Sequence, residues 1–288
     1  MHVERTEEGK YQYSAKIKIC YQKAGHGPNN VLLIHGFACS RLNWHSILDK
    51  FPVHKYTLII PDLKGYGASS APRDGAYSLS DQAEIIKAFT FYLKLNSFTL
   101  IGHSMGGGVV LTLAAMPELK SKIDSLVLLD SAAFKDPIPR FITLLKTPYL
   151  RYLFLSALIP FNGVIRYAIG RIFYDRQKVN DLLVSRYKPY FYRNRHYNVY
   201  IKTAEQLIPE NYYEEIEKFR HIIIPALIIW GKQDPVIPLR NGLKLSTLLP
   251  NATLRIIDEC GHNPHEEKPE VTSDYLVKFL DKIYDGNY

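Results

Sequence analysis

Short, mostly apolar runs recur along this 288-residue chain: VLLI (31–34), TLII (57–60), FTLI (98–101), LVLL (126–129), ALII (226–229) and LRII (254–257). Each is too brief for a helix and lacks the strict alternation of a half-exposed strand. Such runs read as strands covered on both faces. An earlier run, AKIKICY (15–21), does alternate like a strand. Between runs lie helical patterns such as SDQAEIIKAFTFYLKL (80–95), with apolar residues three and four apart and Ser80 as the expected N-cap. Parallel strands need crossover connections, so this alternation predicts an α/β fold with a mostly parallel central sheet flanked by helices.

The rhythm breaks after Leu129. For about eighty residues only helical pieces occur, punctuated by Pro137, Pro139, Pro148, Pro160 and Pro189, until IIIPALIIWGKQD (222–234) restores the strand pattern. The expected organisation is a core of residues 1–132 and 214–288 with a helical insertion over 133–213. An insertion between parallel strands sits at their carboxyl edge, where such sheets bind ligands. Seventeen aromatic residues fall between Phe134 and Tyr213, including the runs YLRYLF (149–154) and YKPYFY (187–192). The same segment holds 13 Lys or Arg against 5 Asp or Glu, so the whole net charge of +8 lies there. No helix-turn-helix, zinc-finger or RNP-like pattern accompanies it, and nucleic acid is not an expected partner. A solvated face, a site for an anionic substrate, or docking onto an acidic carrier protein or anionic membrane surface remain as readings.

Three dispersed cysteines, Cys20, Cys39 and Cys260, fit neither a disulfide framework nor a zinc site, and they read as small packing residues. The polar N-terminus carries no signal-peptide pattern, and no apolar run is long enough to span a membrane. A soluble, cytoplasmic protein is expected.

GHSMG (102–106) matches the G-x-S-x-G turn, in which a strand breaks sharply into a helix and leaves a serine exposed. FTLI precedes it and GGVVLTLAAM follows, so the context is the required one. LLIHGFACS (32–40) places His-Gly directly after another strand, a site for half of an oxyanion hole. The backbone N–H groups of Phe37 and Met105 are the expected donors. Asp234 falls in the loop after the strand at 226–229, and His262 in the loop after the next one. Ser104, Asp234, His262 is the nucleophile–acid–base order of this arrangement. A serine needs an imidazole to take its proton, and the imidazole needs a carboxylate to fix its tautomer.

With these residues in view the chain resembles the α/β-hydrolase superfamily over nearly its whole length. HGF (35–37), PDLKGYGAS (61–69), GHSMGG (102–107), WGKQDPVIP (230–238) and GHNPHEEKPE (261–270) stand in family order. The resemblance implies a helical cap inserted after the sixth strand, a Ser104–Asp234–His262 triad, and structural roles for Asp62 and Gly65. Asp130 is a rival acid, because some members of the superfamily place it there, and His265 is a rival base. His35 reads as a structural hydrogen-bonder, and His103 is expected to point away from the serine.

A serine at this position implies an acyl-enzyme route on an ester or thioester, with an apolar or aromatic acyl group suited to the cap aromatics. Hydrolysis of a carbon–carbon bond in a vinylogous diketone is the alternative. Enzymes of that kind resemble this chain in the Ser-Met-Gly-Gly run but carry Asn before the serine and Trp after the histidine, where this chain has His103 and Asn263. A ligand receptor without turnover is the reading from a different class. Neither a cofactor nor a metal is called for by this chemistry.

Overall fold

Side chains of each central strand enter two different cores in turn. The computed structural model describes residues 6–135, 140–147, 149–150, 162–191 and 195–286. Along β3 (Asn29–Ile34), Leu32 and Ile34 join one buried cluster while Val31 and Leu33 join a second on the opposite face. The same period of two holds on β4 (Tyr56–Pro61), β5 (Phe98–His103), β7 (Ala226–Gly231) and, from Leu126 onward, β6 (Ile123–Leu129). That is why their sequences read as unbroken apolar runs.

With β1 (Thr6–Ser14), β2 (Ile17–Ala24) and β8 (Ala252–Ile257), these strands form one eight-stranded sheet of order β1-β2-β4-β3-β5-β6-β7-β8. The β1·β2 and β2·β4 pairs are antiparallel and all others are parallel. On one face lie α1 (Leu79–Tyr92), α2 (Met105–Ala114) and α8 (Leu239–Leu248). On the other lie a short 3-10 helix (Arg41–Ser46) and α10 (Pro269–Tyr284). The expected mostly parallel sheet flanked by helices is the observed architecture.

Three details differ from the sequence reading. β1, TEEGKYQYS, has no apolar run because it is an edge strand whose residues are almost all exposed. β8 forms the other edge, which leaves Arg255 and Ile256 of LRII exposed. Helix α1 is capped by Ser78, not Ser80. Ser78 Oγ accepts the N–H of Asp81 (3.1 Å) and Asp81 returns a bond to the Ser78 N–H (2.9 Å). This reciprocal pair three residues apart satisfies two otherwise orphaned donors, which Ser80 has no such partner to do.

Between β6 and β7 the described residues form α3 (Arg140–Lys146), α4 (Asn162–Gly170), α5 (Asp181–Phe191), α6 (Arg195–Gln206) and α7 (Tyr212–Phe219). Ile165 and Ile169 of α4 pack on Leu183, Val184 and Tyr187 of α5 in a third apolar cluster that also takes Cys39. Ile142 of α3 and Val199, Tyr200 and Ile201 of α6 belong to the main core instead. Residues 151–154 of the first aromatic run and Tyr192 of the second lie outside the described residues. No helix among the described residues is long and apolar enough to cross a membrane.

The turn after β4 is organised by Asp62, which is fully buried. Its carboxylate accepts the N–H groups of Arg41 (2.8 Å) and Ala68 (2.9 Å) and pairs with the Arg41 guanidinium. Gly67 sits at φ +51°, where a Cβ would strike that carboxylate. Asp62→Ala would leave the largely buried Arg41 with only the exposed Glu8 carboxylate (2.8 Å) as a partner, and a loss of about 3 kcal/mol, the low end for a broken buried pair, is expected. Urea denaturation should show a loss of that size with an unchanged slope; a loss within the range of an ordinary surface substitution would contradict this account.

Candidate active site

Ser104 stands between β5 and α2 with φ +52° and ψ −121°, outside the regions an L-residue ordinarily occupies. Backbone bonds hold it there. Its N–H donates to Leu129 O, and its carbonyl accepts from the N–H groups of Gly107 and Ala132, all at 2.9 Å. The flanking glycines are required by close approach: a Cβ at Gly102 would meet the carbonyl of Gly106, and a Cβ at Gly106 would meet the carbonyls of Ile34 and His35. Helix α2 therefore presses directly on β3 and β5.

The structure brings Ser104, His262 and Asp234 into one hydrogen-bonded chain. Ser104 Oγ lies 2.9 Å from His262 Nε2, and His262 Nδ1 lies 2.7 Å from Asp234 Oδ2. The carboxylate accepts the Nδ1 proton, so Nε2 is left to accept from the serine hydroxyl. Asp234 Oδ1 is anchored by the N–H groups of Val236 (2.7 Å) and Ile237 (3.0 Å). All three residues come from loops at the carboxyl ends of β5, β7 and β8.

The rival residues do other things. Asp130, at the end of β6, accepts the N–H of Gly231 (2.9 Å) and is fully buried. His265 packs its ring against Trp44 and His103, each at 4.6 Å, and burial beside His262 pushes its pKa down to about 3. His103 turns away from Ser104 and donates through Nε2 to the carbonyl of His262 (2.8 Å). Burial and the surrounding imidazoles hold it well below the usual histidine range, so the ring is neutral and its one proton lies on Nε2. His35 donates through Nδ1 to Gly36 O and accepts the Leu63 N–H (3.0 Å). The thiols of Cys20, Cys39 and Cys260 are all buried, and burial raises their pKa values, which disfavours the nucleophilic thiolate.

Two attachments of the His262 loop have no counterpart in the sequence reading. The His262 N–H donates to the carbonyl of Ile172 (2.8 Å), in the segment that follows α4. Glu267, in α9 (Pro264–Glu267), is fully buried and accepts the N–H groups of Gly261 and Asp175, both at 2.7 Å. The His262 loop is thus clamped to residues 172–175 from both sides. Nearby, Glu266 accepts from Tyr187 Oη (2.5 Å) and Asn263 Nδ2 (2.6 Å). A glutamate pair following a histidine was visible in HNPHEEKPE, but only the fold shows that both carboxylates point inward.

A cleft opens at Ser104, with about 950 Å³ of empty space when the open solvent at its mouth is included. Phe37 and Met105 flank the serine at its floor, and Phe134, Ile142, Leu207 and Ile216 give it an apolar wall with Lys135 and Glu215 among its lining residues. Met105 is the first residue of α2, so its N–H has no acceptor within the helix. The described parts of the two aromatic runs lie elsewhere: Tyr149 is exposed and Tyr187 is buried in the third cluster. Among the described residues, one trio of side chains, Asp130, Asp234 and His262, brings potential metal-binding atoms within 4.8 Å of one another. Two of its members are already each other's hydrogen-bond partners.

A serine on a strained strand-to-helix turn, beneath a parallel sheet's carboxyl edge and bonded to a histidine–aspartate pair, defines a class of hydrolytic folds. The chain belongs to the alpha/beta hydrolase fold family, whose model matches residues 29–269. The uncharacterized hydrolase YugF of Bacillus subtilis is 26% identical over 261 residues, covering 90% of this chain and 92% of its own. Lipase 3 of a Moraxella species is 30% identical over 258 residues, covering 88% and 78%. The solved structure of a candidate lipase from Acinetobacter baumannii superposes with a TM-score of 0.78 at 26% identity, covering 98% of this chain and 93% of that one. The protein is a hydrolase of the α/β fold with lipase-like relatives.

Glu267→Ala would leave two backbone donors, those of Gly261 and Asp175, without their charged acceptor. A stability loss of about 3 kcal/mol or more is expected in chemical denaturation. Glu267→Gln, which keeps one acceptor oxygen, should lose less; equal losses would mean that the side chain fills space rather than holding the loop.

Proposed function

We propose that this protein is a serine esterase, cleaving a carboxylic ester or thioester with an apolar or aromatic acyl group through an acyl-enzyme. The observation that carries this reading is the unbroken chain from Asp234 through His262 to Ser104, ending in an apolar cleft. Ser104 Oγ attacks the carbonyl carbon while His262 Nε2 takes its proton, and Asp234 stabilises the imidazolium that forms. The carbonyl oxygen becomes an oxyanion beside the N–H groups of Phe37 and Met105. Each such donor is worth roughly 10²–10³ in rate. Collapse of the tetrahedral adduct breaks the ester C–O bond (or C–S in a thioester), and His262 returns its proton to the leaving group. Water then attacks the acyl-enzyme by the same route, releasing the acid and restoring Ser104.

The helical segment 133–213 acts in this reading as a cap. It supplies Phe134, Ile142, Leu207 and Ile208 to the cleft and so selects the acyl group. The aromatic contact falls to Phe134 and Tyr212 more than to the two aromatic runs. Of the cations in this basic segment, Arg193 lies outside the described residues, and so does the side chain of Arg195.

Hydrolysis of p-nitrophenyl esters from acetate to long acyl chains tests the proposal. Wild type should turn over, with an optimum above acetate. Ser104→Ala should lose about a thousandfold or more in kcat, and Asp234→Asn on the order of 10⁴, with the fold retained in both. Undiminished turnover by a folded Ser104→Ala variant would overturn the assignment. Silence of the wild type across the series, followed by turnover of a vinylogous diketone, would replace it with carbon–carbon hydrolysis.

A further inference from the structure

Behind His262 the site holds two carboxyl groups where the reaction uses one. Asp130 closes β6 at φ +42° and is fully buried. Its Oδ1 accepts one N–H, from Gly231, while its Oδ2 has no hydrogen-bond partner among the described residues. An oxygen of Asp130, an oxygen of Asp234 and a ring nitrogen of His262 lie within 4.8 Å of one another. The titratable groups that act on this corner are Asp234, His262, Glu267 and the Cys260 thiol. The charge of Lys268 acts on Cys260, and among the described residues no lysine or arginine side chain pairs with either carboxyl group.

Two carboxylates this close in a dry site repel strongly, so one of them keeps a proton. The hydrogen bonds decide which. Asp234 accepts three N–H donors, from Val236, Ile237 and His262, and each favours its anion. Asp130 accepts one. A proton on Asp130 Oδ2 also turns an orphaned acceptor into a donor beside Asp234, which removes the cost of leaving it unpaired. Burial, with the charge of Asp234 next, holds the Asp130 carboxyl well above the usual carboxylate range.

We propose that Asp130 is a positioning residue that retains one proton, donates it toward Asp234 and leaves a single negative charge to orient His262. Its kinetic consequence rests on the esterase reading; the proton itself does not. A second anion beside His262 would favour the imidazolium in the resting enzyme and take away the free base that Ser104 needs.

The test uses the full chain. Infrared spectra of the wild type near neutral pH should show the carbonyl stretch of a protonated carboxylic acid, and Asp130→Asn should lose it. Absence of the band in the wild type, or its survival in the variant, overturns the proposal; the wild-type spectrum decides alone if the variant does not fold. Asn presents an N–H where Asp130 presents its proton, so Asp130→Asn should keep kcat within about threefold of wild type. A fall as large as that of Asp234→Asn overturns the proposal.

Thermal stability gives a third readout. The unfolded Asp130 carboxyl ionises near pH 4, whereas the folded one still holds its proton, so above about pH 4 the native state binds the extra proton. Wild-type stability should therefore fall relative to Asp130→Asn as pH rises, until the folded group itself ionises. A difference independent of pH overturns the proposal. Full activity of Ser104→Ala would instead overturn the esterase reading and leave the infrared and stability tests of Asp130 standing.

Discussion

The geometry of the site depends on the contact between helix α2 and strand β3, where Gly106 lies against the carbonyls of Ile34 and His35. Because the helix starts that close to the sheet, the chain must reverse within one residue, and Ser104 absorbs the reversal in a backbone conformation that costs about 1–3 kcal/mol. Bonds from Leu129, Gly107 and Ala132 to the Ser104 peptide offset that cost. The same reversal sets the start of α2, at Met105, and the serine side by side in the lining of one cleft. Any side chain at Gly106 would push the helix off the sheet and disperse this alignment.

A second layer of construction keeps His262 in place. Its side chain is held by Asp234, its N–H by Ile172 and its carbonyl by His103, so ring and backbone are fixed independently. Burial keeps His103 a neutral imidazole, with its one ring proton on the Nε2 that makes this bond. The residue beside Ser104 in sequence thereby supports the partner that Ser104 meets in space. Electrostatically the site is lopsided, with Asp130, Asp234 and Glu267 gathered behind one imidazole.

Much of this was legible from residue order. Buried parallel strands announce themselves as apolar runs because both faces are covered, and the GHSMG turn announces itself because close packing admits only glycine at its edges. The order of Ser104, Asp234 and His262 followed from the loops that end β5, β7 and β8. What the sequence concealed was of two kinds. Edge strands such as β1 carry no apolar signature, since solvent covers one side. Long-range backbone contacts, such as His262 to Ile172 or Gly261 to Glu267, leave no trace in residue type, because any residue supplies an N–H or a carbonyl. Asp130 was visible only as a competitor for the acid's role. Its distinct place emerges from counting hydrogen-bond donors around two neighbouring carboxyl groups.

The clamp between the His262 loop and residues 172–175 bears on how this scaffold can be altered. Insertions at the carboxyl edge of such sheets invite treatment as exchangeable modules, to be replaced wholesale when a new specificity is wanted. Here the segment after α4 is part of what holds His262 in place. A transplanted insertion would have to bring a carbonyl acceptor equivalent to that of Ile172 and an N–H equivalent to that of Asp175, in register with Glu267. Without them the graft would trade specificity against the alignment of the imidazole, however well its own helices folded.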